Sequence, residues 1–169
     1  MTATQTTRFT EPYNDPIEIG LRAVAILCES YPATMSLQRL VIFDYLIIHS
    51  DDIPNGPVGL HPKTPHRSSE LLVRRQVLQE GIKLFQSRGL VAQLYTSEGI
   101  LFSATEQSAA FLDAMRSPYA LELRKRAVWL LETLGQLTDN DLETLARKHI
   151  CEWGAEFAME SILWMEDTI

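Results

Sequence analysis

Cysteine, long uncharged runs and an early apolar stretch are all scarce in this 169-residue chain. Its two cysteines, Cys28 and Cys151, stand far apart with no C-x-x-C spacing. That rules out a disulfide framework or a zinc ribbon, and leaves buried thiols as the expectation. The longest stretch free of Asp, Glu, Lys and Arg is Ile53 to Pro62, and it holds three prolines. A bilayer span needs about 20 mostly apolar residues, so no transmembrane helix is expected. The first residues, MTATQTTRFTEPYNDP, lack the charged-then-apolar pattern of a secretory leader. The expectation is a cytoplasmic protein without membrane contact. Acidic residues outnumber basic ones 22 to 15, a net charge of −7, and 46% of residues are hydrophobic. Such a composition suits ordinary globular folding and excludes disorder.

Enzyme signatures are missing as well. The chain has no G-x-x-x-x-G-K-[ST], G-x-S-x-G, H-E-x-x-H or G-x-G-x-x-G string. A restriction-type nuclease motif has its nearest approach in Glu122-Leu123-Arg124-Lys125, which falls on an expected helix with Arg in the third place. Four histidines remain. His61 and His66 share a proline-rich loop with Asp51 and Asp52, yet their spacing matches no ligand pattern, and loop hydrogen bonding is the preferred reading. No catalytic residue, cofactor or metal ligand is assigned.

Hydrophobic spacing then supplies the architecture. Residues 1–15, threonine-rich and short of large apolar groups, are expected to be a flexible N-terminus unless another surface holds them. From Pro16, the apolar residues Ile17, Leu21, Val24, Cys28 and Tyr31 recur at helical intervals, which predicts one buried stripe ending at Pro32. Ser36 caps a second helix, Leu37 to His49, apolar all round except Arg39 and Asp44. Such a helix is either central or partly covered by another chain. Asp44 would be costly to bury unpaired, so it should accept hydrogen bonds or meet an arginine such as Arg67 or Arg74, in a structural role. Ser50 to Arg67 holds four prolines and two glycines and reads as a long loop.

A third, amphipathic helix follows from Ser68 or Ser69 to Arg88. Leu90–Thr96 and Ile100–Ala104, joined through Ser97, Glu98 and Gly99, predict a β-hairpin. Helices over Glu106–Met115 and Tyr119–Leu134, and a last one from Thr138 or Asp139, complete the chain. The fold expected is mainly α with a small β-hairpin: a winged-helix-like domain over 16–115, with a C-terminal helical extension over 116–169 packed on it. Element order alone carries that analogy.

Charge is distributed unevenly. His61 to Arg88 carries six basic and two acidic residues. Arg74, Arg75, Gln79, Lys83 and Arg88 are therefore the candidate nucleic-acid contacts. The chain's overall negative charge and an acidic wing turn, Thr96-Ser97-Glu98-Gly99, weigh against autonomous DNA binding. From Asp139 to Ile169 there are eight acids and two bases, interleaved with aromatic groups. Trp153, Phe157 and Trp164 are the candidate partner interface; Trp153 and Phe157 could instead complete the core, the preferred reading for Trp153, while Trp164 is read as partner contact or oligomer packing.

Several strings together resemble the middle component of bacterial ABC-three-component systems. They include Pro16-Ile17-Glu18-Ile19-Gly20-Leu21-Arg22-Ala23, Leu37 through Tyr45, His49-Ser50-Asp51-Asp52, Leu60-His61-Pro62, Glu70 through Arg75, Ser87-Arg88-Gly89-Leu90 and Leu123 through Trp129. The resemblance covers roughly Pro16 to Trp129. It implies a non-enzymatic accessory subunit encoded beside an SMC- or Rad50-like ABC ATPase and an effector protein. The setting it implies is Lamassu-like defence against phage or plasmids, with possible DNA contact within the complex. The alternative is a winged-helix DNA-binding protein or transcriptional regulator.

Overall fold

The computed structural model describes residues 14–62 and 67–152. Trp153, Phe157 and Trp164 lie outside the described residues, as do Lys63 and His66. Helix α1 (Pro16–Ser30) opens on Asp15, whose carboxylate accepts from the Glu18 amide at 2.8 Å, with Pro16 in the first turn. Strand β1 (Met35–Ser36) leads into α2 (Leu37–Ile48), where the Ser36 hydroxyl caps the helix by accepting from the Arg39 amide at 3.1 Å. After a 3-10 turn (Ser50–Asp52) and the proline-rich loop comes α3 (Arg67–Ser87). Gly89, at φ +73°, stops it: its amide bonds to the Gln86 carbonyl and that of Leu90 to Phe85. This double closure needs a left-handed residue, and glycine adopts that conformation freely.

The hairpin follows as β2 (Val91–Thr96) and β3 (Gly99–Ala104), paired from Val91 with Ala104 to Thr96 with Gly99. β1 pairs with β3 on the other side, Met35 opposite Phe102, so the strand order is β1-β3-β2, all antiparallel. The expected hairpin is thus part of a three-stranded sheet. Helix α4 (Ser108–Asp113) starts two residues later than its periodicity predicts. The cause is local: the Ser108 hydroxyl accepts from the Thr105 amide and donates to the Leu90 carbonyl at 2.7 Å, tying this turn to the base of the hairpin. Helices α5 (Pro118–Leu134, capped by Ser117) and α6 (Asp139–Glu152) complete the described chain. The molecule is mainly helical with a small antiparallel sheet, and its order through β3 is winged-helix-like.

One hydrophobic core joins these elements. Ile26, Leu27, Leu40, Phe43, Ile47, Leu78 and Ile82 are fully buried, and α5 adds Leu123 and Leu130. Residues Leu40 to Ile48 of α2 are all buried, so α2 is the central helix, covered by the chain's own elements. The stripe expected on α1 is displaced. Ile17 and Tyr31 are 60% and 47% exposed, while Ile19, Ala23, Ile26 and Leu27 face inward. α1 is packed by α3 on one side and by α2 and α5 on the other, so its buried arc is wider than one stripe and centred elsewhere. Cys28, half-buried, has its thiol pushed up by burial. Among the described residues no helix is long and apolar enough to cross a membrane.

Candidate functional site

The polar residues with most chemistry gather around Asp44. It sits midway along α2 with no solvent exposure, and two guanidiniums reach it from other helices. Arg22 of α1 donates from Nε to Oδ1 at 2.6 Å and from Nη2 to Oδ2 at 3.3 Å. Arg74 of α3 donates from Nη1 to Oδ2 at 2.5 Å and lies over the Tyr45 ring. Burial alone would push the Asp44 carboxyl up. The charges and hydrogen bonds of Arg22 and Arg74 override it and hold the group below the usual carboxylate range. A fixed anion between two cations lacks the intermediate proton affinity that suits a general acid or base.

Above this cluster lies the loop that follows α2. Both its Leu60 and His61 amides donate to the Ile48 carbonyl, at 2.9 and 3.3 Å. His61 Nε2 and the Tyr119 hydroxyl of α5 share a hydrogen bond of 2.9 Å, and Tyr119 also bonds Arg22. Burial, aided by the positive charges of Arg22, His49 and Arg74, lowers the His61 pKa to about 4. Asp52 accepts from the Tyr45 hydroxyl at 2.8 Å. Ser50 donates to the Pro57 carbonyl and accepts from Arg126 of α5. The loop is therefore latched to α2 and α5 by named polar contacts. Asp52 and His61, once candidates for one cluster with Asp51 and His66, are engaged by different tyrosines, and His66 is outside the described residues. Among the described residues no three His, Cys, Asp or Glu side chains are grouped to hold a metal ion.

The candidate nucleic-acid contacts separate into two sets. Arg74 is only 2% exposed and points into the core, where the buried Asp44 carboxylate holds it, so it does not face a nucleic acid. Arg75 is half-buried, whereas Gln79, Lys83 and Arg88 are exposed. Gln86 of α3 donates to Gln93 of β2 at 2.9 Å, which fixes the hairpin against the helix. Beyond it Tyr95 is 81% exposed on the wing. With Arg74 turned inward, the outer side of α3 is less basic than its sequence, which weakens its attraction for phosphates.

Sequence reasoning identified Asp44 and one of its partners. Its other anchor, Arg22, went unassigned, as did Tyr119 and Arg126. A signal for Arg22 existed: it stands three residues after Ile19 and four before Ile26, inside the face that proves to be buried. The stripe begun from Ile17 concealed it.

Comparison with known proteins gives one family and no individual relative. No curated protein and no solved structure matches the chain. Residues 12–156 match the family model described as ABC-three component (ABC-3C) system Middle Component 2. That span takes in all the described helices and the sheet, and on it the chain belongs to the Middle Component 2 family of ABC-three-component systems.

Proposed function

We propose that this chain is a non-enzymatic accessory subunit in the cytoplasm. In this reading it bridges or regulates an SMC- or Rad50-like ABC ATPase and an effector protein, in a Lamassu-like system acting against phage or plasmids. The observation that carries the reading is the family match over residues 12–156, which makes the chain one component of a multi-part system. The chemistry of its polar residues supports the rest. Asp44, Arg22, Arg74, Tyr119 and His61 are engaged with one another inside the fold, so their work is to hold helices together. What remains for function is surface: the outer side of α3, the exposed wing and the latched loop.

Co-expression with the neighbouring ATPase and effector genes tests this. Stable association at fixed stoichiometry, with or without DNA and nucleotide, is the expected outcome. A complete failure to associate overturns the reading, as does turnover of nucleotide, nucleic acid or peptide by the purified chain that one point substitution abolishes. A second reading, direct duplex binding, has the exposed Gln79, Lys83 and Arg88 behind it. It requires binding that weakens steeply with salt and is lost when Arg75 and Lys83 are reversed in charge.

A further inference from the structure

The latched loop contains the chain's single Asn-Gly pair, Asn55-Gly56; the other asparagines, Asn14 and Asn140, each precede aspartate. An asparagine followed by glycine is the sequence most prone to spontaneous deamidation, because no side chain hinders attack by the next backbone nitrogen. Asn55 is exposed at the loop tip, with φ at +61°. Gly56 is the opposite. Its amide donates to the Ile53 carbonyl at 2.8 Å, and a Cβ there would lie 1.9 Å from the Ser50 carbonyl oxygen. The backbone at 56 is thus pressed against a residue with no solvent exposure, which is itself bonded to Pro57 and Arg126.

We propose that Asn55-Gly56 is a modification site at which deamidation to isoaspartate, restrained while the loop is latched, turns a transient opening of residues 50–62 into a permanent one. In the reaction the Gly56 nitrogen loses its proton and bonds to the Asn55 side-chain carbonyl carbon. The carbon–nitrogen bond of the carboxamide breaks and ammonia leaves, carrying that proton. Water then opens the resulting succinimide at either carbonyl, giving aspartate or isoaspartate. Water is the sole co-reactant. In the closed loop the attacking nitrogen is engaged with Ile53, and Asn55 is held in the left-handed conformation. Reaction therefore waits on opening, and its rate follows the population of the open form.

Isoaspartate routes the main chain through the former side chain and so adds one backbone carbon next to Gly56. That extra length shifts the Gly56 backbone, which sits so close to the Ser50 carbonyl that even a Cβ there would clash. It also places a new carboxylate on a loop that already carries Asp51 and Asp52. Both changes oppose reclosure, so the His61–Tyr119 contact is lost with the loop. The inference rests on the loop's own geometry and holds whichever partner the chain meets.

The test is peptide mapping by mass spectrometry, with isoaspartyl methyltransferase labelling, of the full chain incubated at mildly alkaline pH with and without urea. Isoaspartate at residue 55 should form at least about tenfold more slowly in the native protein than in urea. Ser50→Ala should speed the native reaction and leave the urea rate unchanged, and Arg126→Ala offers the same comparison if that variant folds poorly. In the purified isoaspartate form, amide exchange should quicken at Leu60 and His61 while Leu40 to Ile48 stay protected. Equal rates in native protein and urea overturn the proposal. So does an isoaspartate form in which Leu60 and His61 keep their protection, or label that persists in Asn55→Gln.

Discussion

At the residue scale, Asp44 is a charge removed from water and stabilised by two neighbours that are equally buried. Coulombic attraction and three hydrogen bonds offset desolvation only while all the partners are present. Asp44→Ala leaves two buried guanidiniums without their shared anion. It should cost about 3–5 kcal/mol in urea unfolding, a large fraction of the roughly 5–15 kcal/mol that keeps an ordinary domain folded. Replacing the whole set, as Arg22→Met, Asp44→Leu and Arg74→Met together, should recover most of that loss, because the desolvation cost goes with the charges. His61 gives a separate pH dependence. Its ordinary value of 6.5 falls to about 4 in the fold, so between these values the unfolded chain binds the extra proton and the folded one does not. Stability should decline as pH drops from about 6.5 towards 4 and then level off for this group, by about 1–2 kcal/mol once solvent screening at a half-exposed ring is allowed for. His61→Gln should flatten that slope in denaturation curves taken across the range. The need for an arginine at Asp44 was legible from an acid set in an apolar helix. That Arg22 would answer it was not, since which face of α1 is buried depends on where α3 and α5 pack.

At the element scale, α1 and α3 cross where each carries a glycine. A Cβ at Gly81 would lie 2.5 Å from the Pro16 carbonyl oxygen and 2.8 Å from the Gly20 nitrogen, and one at Gly20 would meet the Phe85 ring. Backbone cannot yield as a flexible side chain can. Gly81→Ala gains roughly 1 kcal/mol of helix propensity, yet should lower stability overall, by about 1–2 kcal/mol in thermal or urea melts, because the helices must part. A surface glycine-to-alanine change of the same kind would do the reverse. Nothing in the sequence couples Gly20 to Gly81; mid-helix glycines read only as costs until the crossing explains them. Helix starts and stops were far more legible. Ser36, Ser117, Gly89 and Gly135 act through bonds to their own neighbours, so local chemistry settles them. β1 is the contrary case. Two residues make no pattern, and they become a strand only because Leu101 and Phe102 lie alongside.

At the scale of the whole molecule, α5 and α6 share the core of the preceding helices and sheet through Leu123, Ala127, Leu130 and Leu142. Arg39 of α2 fastens the turn between them. It donates to the Gly135 and Leu137 carbonyls, both at 2.9 Å, and to Asp139 at 2.8 Å. Arg39→Ala should therefore loosen α6 first, seen as faster limited proteolysis and amide exchange in Asp139–Glu152, while α1 to α3 keep their protection. Retained protection of α6 would mean that Leu142 and Ala146 suffice to hold it. The sequence by itself determined most helix limits (α4, tied to the hairpin base through Ser108, being the exception), the hairpin, the scarcity of catalytic strings and the presence of one awkward acid, because each is written in neighbouring residues or in plain composition. Only the tertiary structure decided which charges turn inward, since Arg22 and Arg74 reach Asp44 across 22 and 30 residues of chain. Burial is a property of faces that meet, and a linear pattern does not contain the meeting.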